Sequence, residues 1–226
     1  MEKQIKNQWK ILTKLLPELK GIECPKEYKE SSEAEEYFVI PHYKLFGTYN
    51  EAVLNLLKVI KKTRPCYDWR SGNWTEKYLK QTQRKVDFWN KQQDVIILGT
   101  QLGNKWKGKS VKEVRENYSK NELGLGIYEV LIILLLKPDI LEKYEDLFLD
   151  CAGDEYSYVA DGVFSKSPLF AFYNDLLKFV TRDVSGADGH FGSVSAFLPQ
   201  TLENAIKICK EAGLKVIKIK TIEEEL

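Results

Sequence analysis

Apolar residues at Ile5, Trp9, Leu12, Leu15, Leu16 and Leu19 recur three or four apart, the spacing of one helix face. Pro17 lies late in that stripe, and its missing amide bends or ends the helix there. Residues 23–36 are charged and poor in large apolar side chains, which predicts a surface connection. Residues 37–40 then read as a short extended segment stopped by Pro41. Thr48 and Glu51 have the spacing of a capping box, opening a helix that buries Ala52, Val53, Leu56, Leu57 and Ile60. Lysines and Arg64 in its last turn suit the helix dipole, and Pro65 follows. After an aromatic and polar loop over residues 66–73, Thr75 caps a second long helix through residue 93. Its stripe is Tyr78, Leu79, Thr82, Val86 and Trp89. Residues 94–98 fit either an extension of that helix or a buried strand, since periodicity does not separate the two over so short a run.

Ser110 and Glu113 form another capping-box pair, for a helix running toward residue 121. The apolar run at 125–136 predicts the central helix of a bundle, and Pro138 suits the first turn of a short helix after it. From residue 146 the pattern changes to strands. Residues 147–149 read as one, and residues 169–173 and 176–180 as a hairpin turning at Asn174-Asp175. Residues 193–198 are a further strand. Thr201 then caps a helix with Leu202, Ala205, Ile206, Cys209 and Ala212 inward, Gly213 ends it, and residues 214–219 close the chain as a strand. The fold class expected is α+β: a helical N-terminal half packed against a small, mainly antiparallel sheet with a C-terminal helix and strand. The regions are 1–145, mainly helical, and 146–226, strand-rich with the C-terminal helix; the two can also form one continuous domain.

Composition changes this picture in one respect. The chain of 226 residues is 43% hydrophobic and 30% charged, with a net charge of +1, an ordinary balance that excludes wholesale disorder. Yet residues 58–120 carry sixteen Lys/Arg against six Asp/Glu, and residues 121–161 carry two against ten. The charged N-terminus lacks a secretory pattern, and the longest apolar run is shorter than the roughly 20 residues a membrane span needs. Four widely spaced cysteines without a CxxC pair then read as reduced thiols, which makes the cytoplasm the expected address and the membrane no partner.

Three stretches can carry chemistry. Asp150, Asp154, Glu155 and Asp161 crowd around Cys151 in the segment 147–164. Carboxylates at a strand end can converge on Mg²⁺ or Mn²⁺, and with His190 or Asp188 they can form a hydrolytic site. The metal ligands in this reading are Asp150, Asp154 and Glu155, with His190 added for catalysis. Asp and Gly also populate turns for backbone reasons alone, and none of the specific metal spacings is present. Cys151 and His190 can alternatively form a thiolate–imidazole pair, although a cysteine beside a strand is commonly core. The other histidine, His42, reads as a loop residue.

The second stretch interleaves Trp69, Trp74, Trp89 and Trp106 with Arg70, Lys77, Lys80, Arg84, Lys85, Lys91, Lys105, Lys107 and Lys109. Cations attract phosphates and indole faces stack on unpaired bases, so Arg70, Trp74, Lys77, Arg84, Lys85, Trp106 and Lys107 are candidate nucleic-acid contacts. Buried indoles and solvated lysines would produce the same pattern, and the acidic segment can neutralise the basic one within the molecule. The third is Gly103-Asn-Lys-Trp-Lys-Gly108-Lys109-Ser110, which satisfies G-x-x-x-x-G-K-S and makes Gly103, Gly108, Lys109 and Ser110 candidate nucleotide ligands. Its internal residues are bulky where amides must close around phosphate. The leading expectation is a non-enzymatic cytoplasmic binding or accessory protein that contacts nucleic acid through the basic, Trp-rich segment, with a protein partner also open. The alternatives are a metal-dependent phosphoesterase or nuclease, and a nucleotide-binding protein.

Overall fold

The computed structural model describes residues 1–25, 31–70, 73–82, 84–86, 94–160 and 162–198. Among these, four α-helices are α1 (Glu2–Leu15), α2 (Tyr49–Thr63), α3 (Val111–Asn117) and α4 (Ile127–Leu136). Among the same described residues, eleven strands form two sheets. The first half supplies β1 (Glu36–Pro41), β2 (Cys66–Asp68), β3 (Leu79–Gln81), β4 (Val95–Gln101) and β5 (Glu122–Gly124). The second half supplies β6 (Phe148–Asp150), β7 (Asp154–Tyr156), β8 (Lys166–Tyr173), β9 (Leu176–Asp183), β10 (Phe191–Ser193) and β11 (Ser195–Phe197).

The expectation of a helical N-terminal half on one small sheet is therefore corrected. Five strands precede residue 146, and both sheets take strands from either side of it. The physical reason is that most of these strands are short, so neither period-2 alternation nor a helical stripe can develop along them. What selects the extended state is pairing with residues far along the chain. In the first sheet, ordered β1-β4-β11-β5, every pairing is antiparallel, and β11 sits between β4 and β5. The second sheet runs β10-β6-β8-β7-β3, with β9 on the other side of β8 and β2 beyond β9. It is mixed, because β10 pairs parallel with β6 and β2 parallel with β9.

Several elements follow directly from local chemistry. Thr48 and Glu51 close a reciprocal capping box on α2, whose buried face includes Ala52, Val53, Leu56, Leu57 and Ile60. Helix α1 ends before a 3₁₀ turn at Pro17–Leu19. The β8–β9 hairpin turns at Asn174 and Asp175, which have φ of +53° and +57°, the geometry of a two-residue turn matched to strand twist. Helix α4 is apolar apart from Glu129 and buried from Ile127 through Leu135. It is no member of a bundle: it packs on α2, α1 and β1. Each fully buried Leu or Ile there contributes about 1.5–3 kcal/mol.

The helix expected over residues 75–93 does not form as one piece. Leu79–Gln81 is β3, paired antiparallel with β7, and residues 84–86 are helical. Residue 83 and residues 87–93, with Trp89 and Lys91, lie outside the described residues. The undecided segment after residue 94 is a strand, β4. The closing helix and strand, Cys209 and Asp161 also lie outside the described residues.

Candidate functional site

The acidic segment forms the centre of the second sheet. Strand β6 leads into a tight Cys151–Gly153 turn whose Cys151 amide donates to the Pro168 carbonyl of β8 at 2.8 Å. A Cβ on Gly153 would lie 2.5 Å from the Gly124 carbonyl oxygen and 2.7 Å from the Gly126 amide nitrogen, so the backbones meet there because there is no side chain. The three carboxylates then part company. Asp150 is fully buried and accepts a two-pronged bond from Arg182, at 2.8 and 2.7 Å. Glu155 accepts from Arg115 at 2.7 Å, and the same guanidinium also donates to the Ala152 and Asp154 carbonyls. Asp154 points into the interior, to a different set of partners. His190 is exposed, with its ring against Tyr144 and Phe148. Among the described residues no three His, Cys, Asp or Glu side chains are placed to hold a metal ion.

The partners of Asp154 are the N-terminus of α4 and a buried lysine. Its Oδ2 accepts from the Tyr49 hydroxyl at 2.6 Å and from the Ile127 amide at 2.7 Å. Lys85 is 1% exposed; its Nζ donates to Glu129 at 2.5 Å and to the Tyr49 hydroxyl, and lies 3.9 Å from Asp154 Oδ1. Glu129 also accepts the Gly126 amide at 3.0 Å, closing the first turn of α4. Burial pushes the Asp154 carboxyl up, against the pull of Lys85 and Tyr49, and drives the Tyr49 phenol well above its ordinary value. The cluster holds two acids and one base at the positive end of a helix, which favours negative charge there. Burial likewise raises the Asp150 carboxyl, despite Arg182. It also raises the Cys151 thiol well above its ordinary range, in a position with no exposure. A thiol so placed is a poor nucleophile, and the structure does not bring it together with His190.

The positive surplus of residues 58–120 meets the negative surplus of residues 121–161 inside the molecule. Lys85 pairs with Glu129, Lys105 with Glu122 at 2.7 Å, and Arg115 with Glu155. Arg84 donates to the Glu122 and Lys120 carbonyls. Trp106 donates its indole N–H to Glu122 at 2.8 Å, and Trp74 is fully buried. Lys77 and Lys107 are exposed.

In the glycine–lysine stretch the amides of Trp106, Lys107, Gly108 and Lys109 each donate to a backbone carbonyl, that of Gly108 to Phe191 across the sheet edge. Gly103 and Gly108 both adopt positive φ. Lys109 pairs with Glu113 at 2.6 Å, and Ser110 accepts the Glu113 amide at 3.1 Å as the cap of α3.

One group of the basic segment has a different setting. Strand β2 ends at Asp68, whose Oδ1 accepts the Arg70 amide at 3.0 Å and the Trp74 indole N–H at 3.1 Å, pinning the turn that follows. Trp74 lies stacked on Phe179 at 4.2 Å and tilted against Tyr156 at 5.0 Å. Above this floor the Arg70 guanidinium stands 4.0 Å from the Trp69 ring centre and 4.7 Å from those of Tyr156 and Tyr158. Trp69 and Tyr158 meet edge to face at 5.7 Å and remain 42% and 46% exposed. Lys166 lies 5.4 Å from the Tyr158 ring while pairing with Asp183 at 3.1 Å, and Tyr78, next to Lys77, stacks on Tyr156. Among the described residues no side-chain N–H of Arg70 has a protein acceptor, and the buried Tyr156 hydroxyl is also without a partner.

Sequence reasoning put Trp69, Arg70, Trp74 and Lys77 in one basic and aromatic stretch. It missed Tyr156, Tyr158 and Lys166, which come from β7, the residues after it and β8. The only local sign of them is the Tyr-x-Tyr spacing, with tyrosines 156 and 158 leaving the strand. No family model, curated protein or solved structure matches the chain, so its function is argued from its own residues.

Proposed function

We propose that this chain is a non-enzymatic binding or accessory protein of the cytoplasm that contacts nucleic acid at the aromatic edge of its second sheet, around Arg70. The observation that carries this reading is a guanidinium held among three rings with no anion to satisfy it among the described residues. Stacking uses the flat faces of the guanidinium and leaves its N–H edge for a phosphate, the geometry for which arginine is suited. Free thiols at Cys24, Cys66 and Cys151 support a reducing address.

Binding is favoured over hydrolysis because Asp150 and Glu155 are each held by an arginine, and Asp154 is buried beside Lys85, a cation it shares with Glu129. The nucleotide-loop reading gains no support from amides already bonded to carbonyls. The test is fluorescence anisotropy with labelled oligonucleotides at increasing salt. Affinity is expected to fall as salt rises, with the log–log slope of counterion release. Absence of binding at low salt, or indifference to salt, removes the proposal.

A further inference from the structure

We infer that the Trp69–Arg70–Tyr158 edge is a subsite for an unpaired nucleotide, with a base stacked on the exposed aromatic rim and its phosphate on the Arg70 fork. The inference rests on the nucleic-acid reading and narrows it to single strands. Three observations meet at this place. Trp69 and Tyr158, at right angles to each other, keep nearly half their surface exposed although both rings also touch the guanidinium. The Arg70 Nε and the Tyr156 hydroxyl are buried polar atoms without partners, an unusual pair to find beside one another. The rim itself stands on a rigid base, because Trp74 and Phe179 pack beneath it and the Trp69 amide donates to the Phe179 carbonyl at 3.1 Å.

Chemistry selects the ligand. Exposed ring faces recognise flat π systems, and duplex bases have theirs covered by neighbours, so only unpaired bases can stack here. Of the cations touching the rim rings, Lys166 is paired with Asp183, and Arg70 is without a carboxylate partner among the described residues. Among the described acids, Asp68 is buried against Trp74, and Asp183 is tied to Lys166 and Ser185. The Arg70 guanidinium beside exposed rings therefore favours an anion carrying an aromatic group, which describes a nucleotide in a single strand. A carboxylate-rich peptide would match the charge but leave the rings without a stacking partner.

The experiment compares a labelled single strand with a duplex of the same length and charge at fixed salt, using the intact chain and its W69A, W69F and Y158A variants. The single strand is expected to bind at least about tenfold tighter than the duplex, and W69A to lose about tenfold or more of that, the size of one stacked base. W69F keeps a ring and is expected to keep most of the affinity while losing part of the fluorescence quenching on binding. Both rim residues are exposed, and an unchanged unfolding midpoint confirms that each variant is folded.

Equal, salt-sensitive affinity for single strand and duplex would overturn this inference while leaving charge-led nucleic-acid binding in place. Binding that W69A and Y158A do not weaken would overturn it in the same way. Polyglutamate competing as well as the oligonucleotide would mean that the surface reads charge alone, and the inference would fall. No binding of either nucleic acid would remove both readings.

Discussion

Lys85 is the residue whose setting departs furthest from what its chemistry alone suggests. A lysine in a cationic stretch reads as a solvated phosphate contact, yet here it is sealed between Glu129, Tyr49 and Asp154. The cluster has no room to spare: a Cβ on Gly126 would fall 2.5 Å from Asp154 Oδ2 and 2.6 Å from the Tyr49 hydroxyl. Replacing Lys85 by Met leaves two buried carboxylates without their cation, a loss of about 3–5 kcal/mol. Urea unfolding should show that loss, and a K85M/E129Q/D154N chain should recover most of it, because neutral amides need no counter-ion. The fold holds Asp154 at a raised proton affinity, so it favours the acid form. The associated stability is fully present below the unfolded value of 3.8 and is lost as pH rises through the raised folded value. Asp154→Asn removes that dependence, so its stability relative to the parent should increase as pH rises above the unfolded value of 3.8. A relative stability that stays flat, or falls, would contradict the assignment. Glu122 runs the other way. Burial alone would raise its carboxyl, but bonds from Lys105, Ser195 and Trp106 outweigh burial and lower it, so its contribution is lost as pH falls.

Among the elements, the ones legible in the sequence are those whose cause is local. The capping box of α2, the continuous apolar run of α4 and the Asn174-Asp175 turn each carry their signal within a few neighbouring residues. Strands such as β2, β3 and β7 do not, because their stability lies in partners distant along the chain: β3 with β7, β2 with β9. The edge of β1 shows the same principle. Gln8 of α1 donates to the Tyr37 carbonyl at 2.8 Å and accepts the Val39 amide at 2.9 Å, so one amide side chain completes the open edge of the strand. A polar residue on the buried face of α1 looks like an error in its stripe until that edge is seen. Gln8→Leu strands two buried backbone groups at about 1–3 kcal/mol each. Faster hydrogen exchange at the Val39 amide is expected alongside the loss. The hairpin turn offers the opposite sign. Asp175 occupies a left-handed conformation that glycine adopts without strain, so Asp175→Gly should stabilise the chain by about 0.5–1 kcal/mol in the same unfolding assay.

At the scale of the whole molecule, the opposed charge of two neighbouring stretches is partly paired within the fold. Lys85, Lys105 and Arg115 on one side find Glu129, Glu122 and Glu155 on the other. That pairing was open in the sequence as a possibility, but the pairs themselves depend on how β5, β7 and α3 come together. The candidate site shows the same division. Arg70 and Trp69 stand out along the chain, whereas Tyr156, Tyr158 and Lys166 join them only through the pairing of β7 with β8 and of β2 with β9. No helix among the described residues is long and apolar enough to cross a membrane.

The role of this edge turns on one guanidinium, so the decisive measurement is the affinity of a labelled single strand for the parent chain, R70A and R70K at two salt concentrations. R70A should bind about tenfold or more weakly with a shallower salt slope, and R70K should restore the slope without restoring the affinity, since lysine supplies charge but not a stacked planar fork. R70A and R70K binding as tightly as the parent would contradict the account.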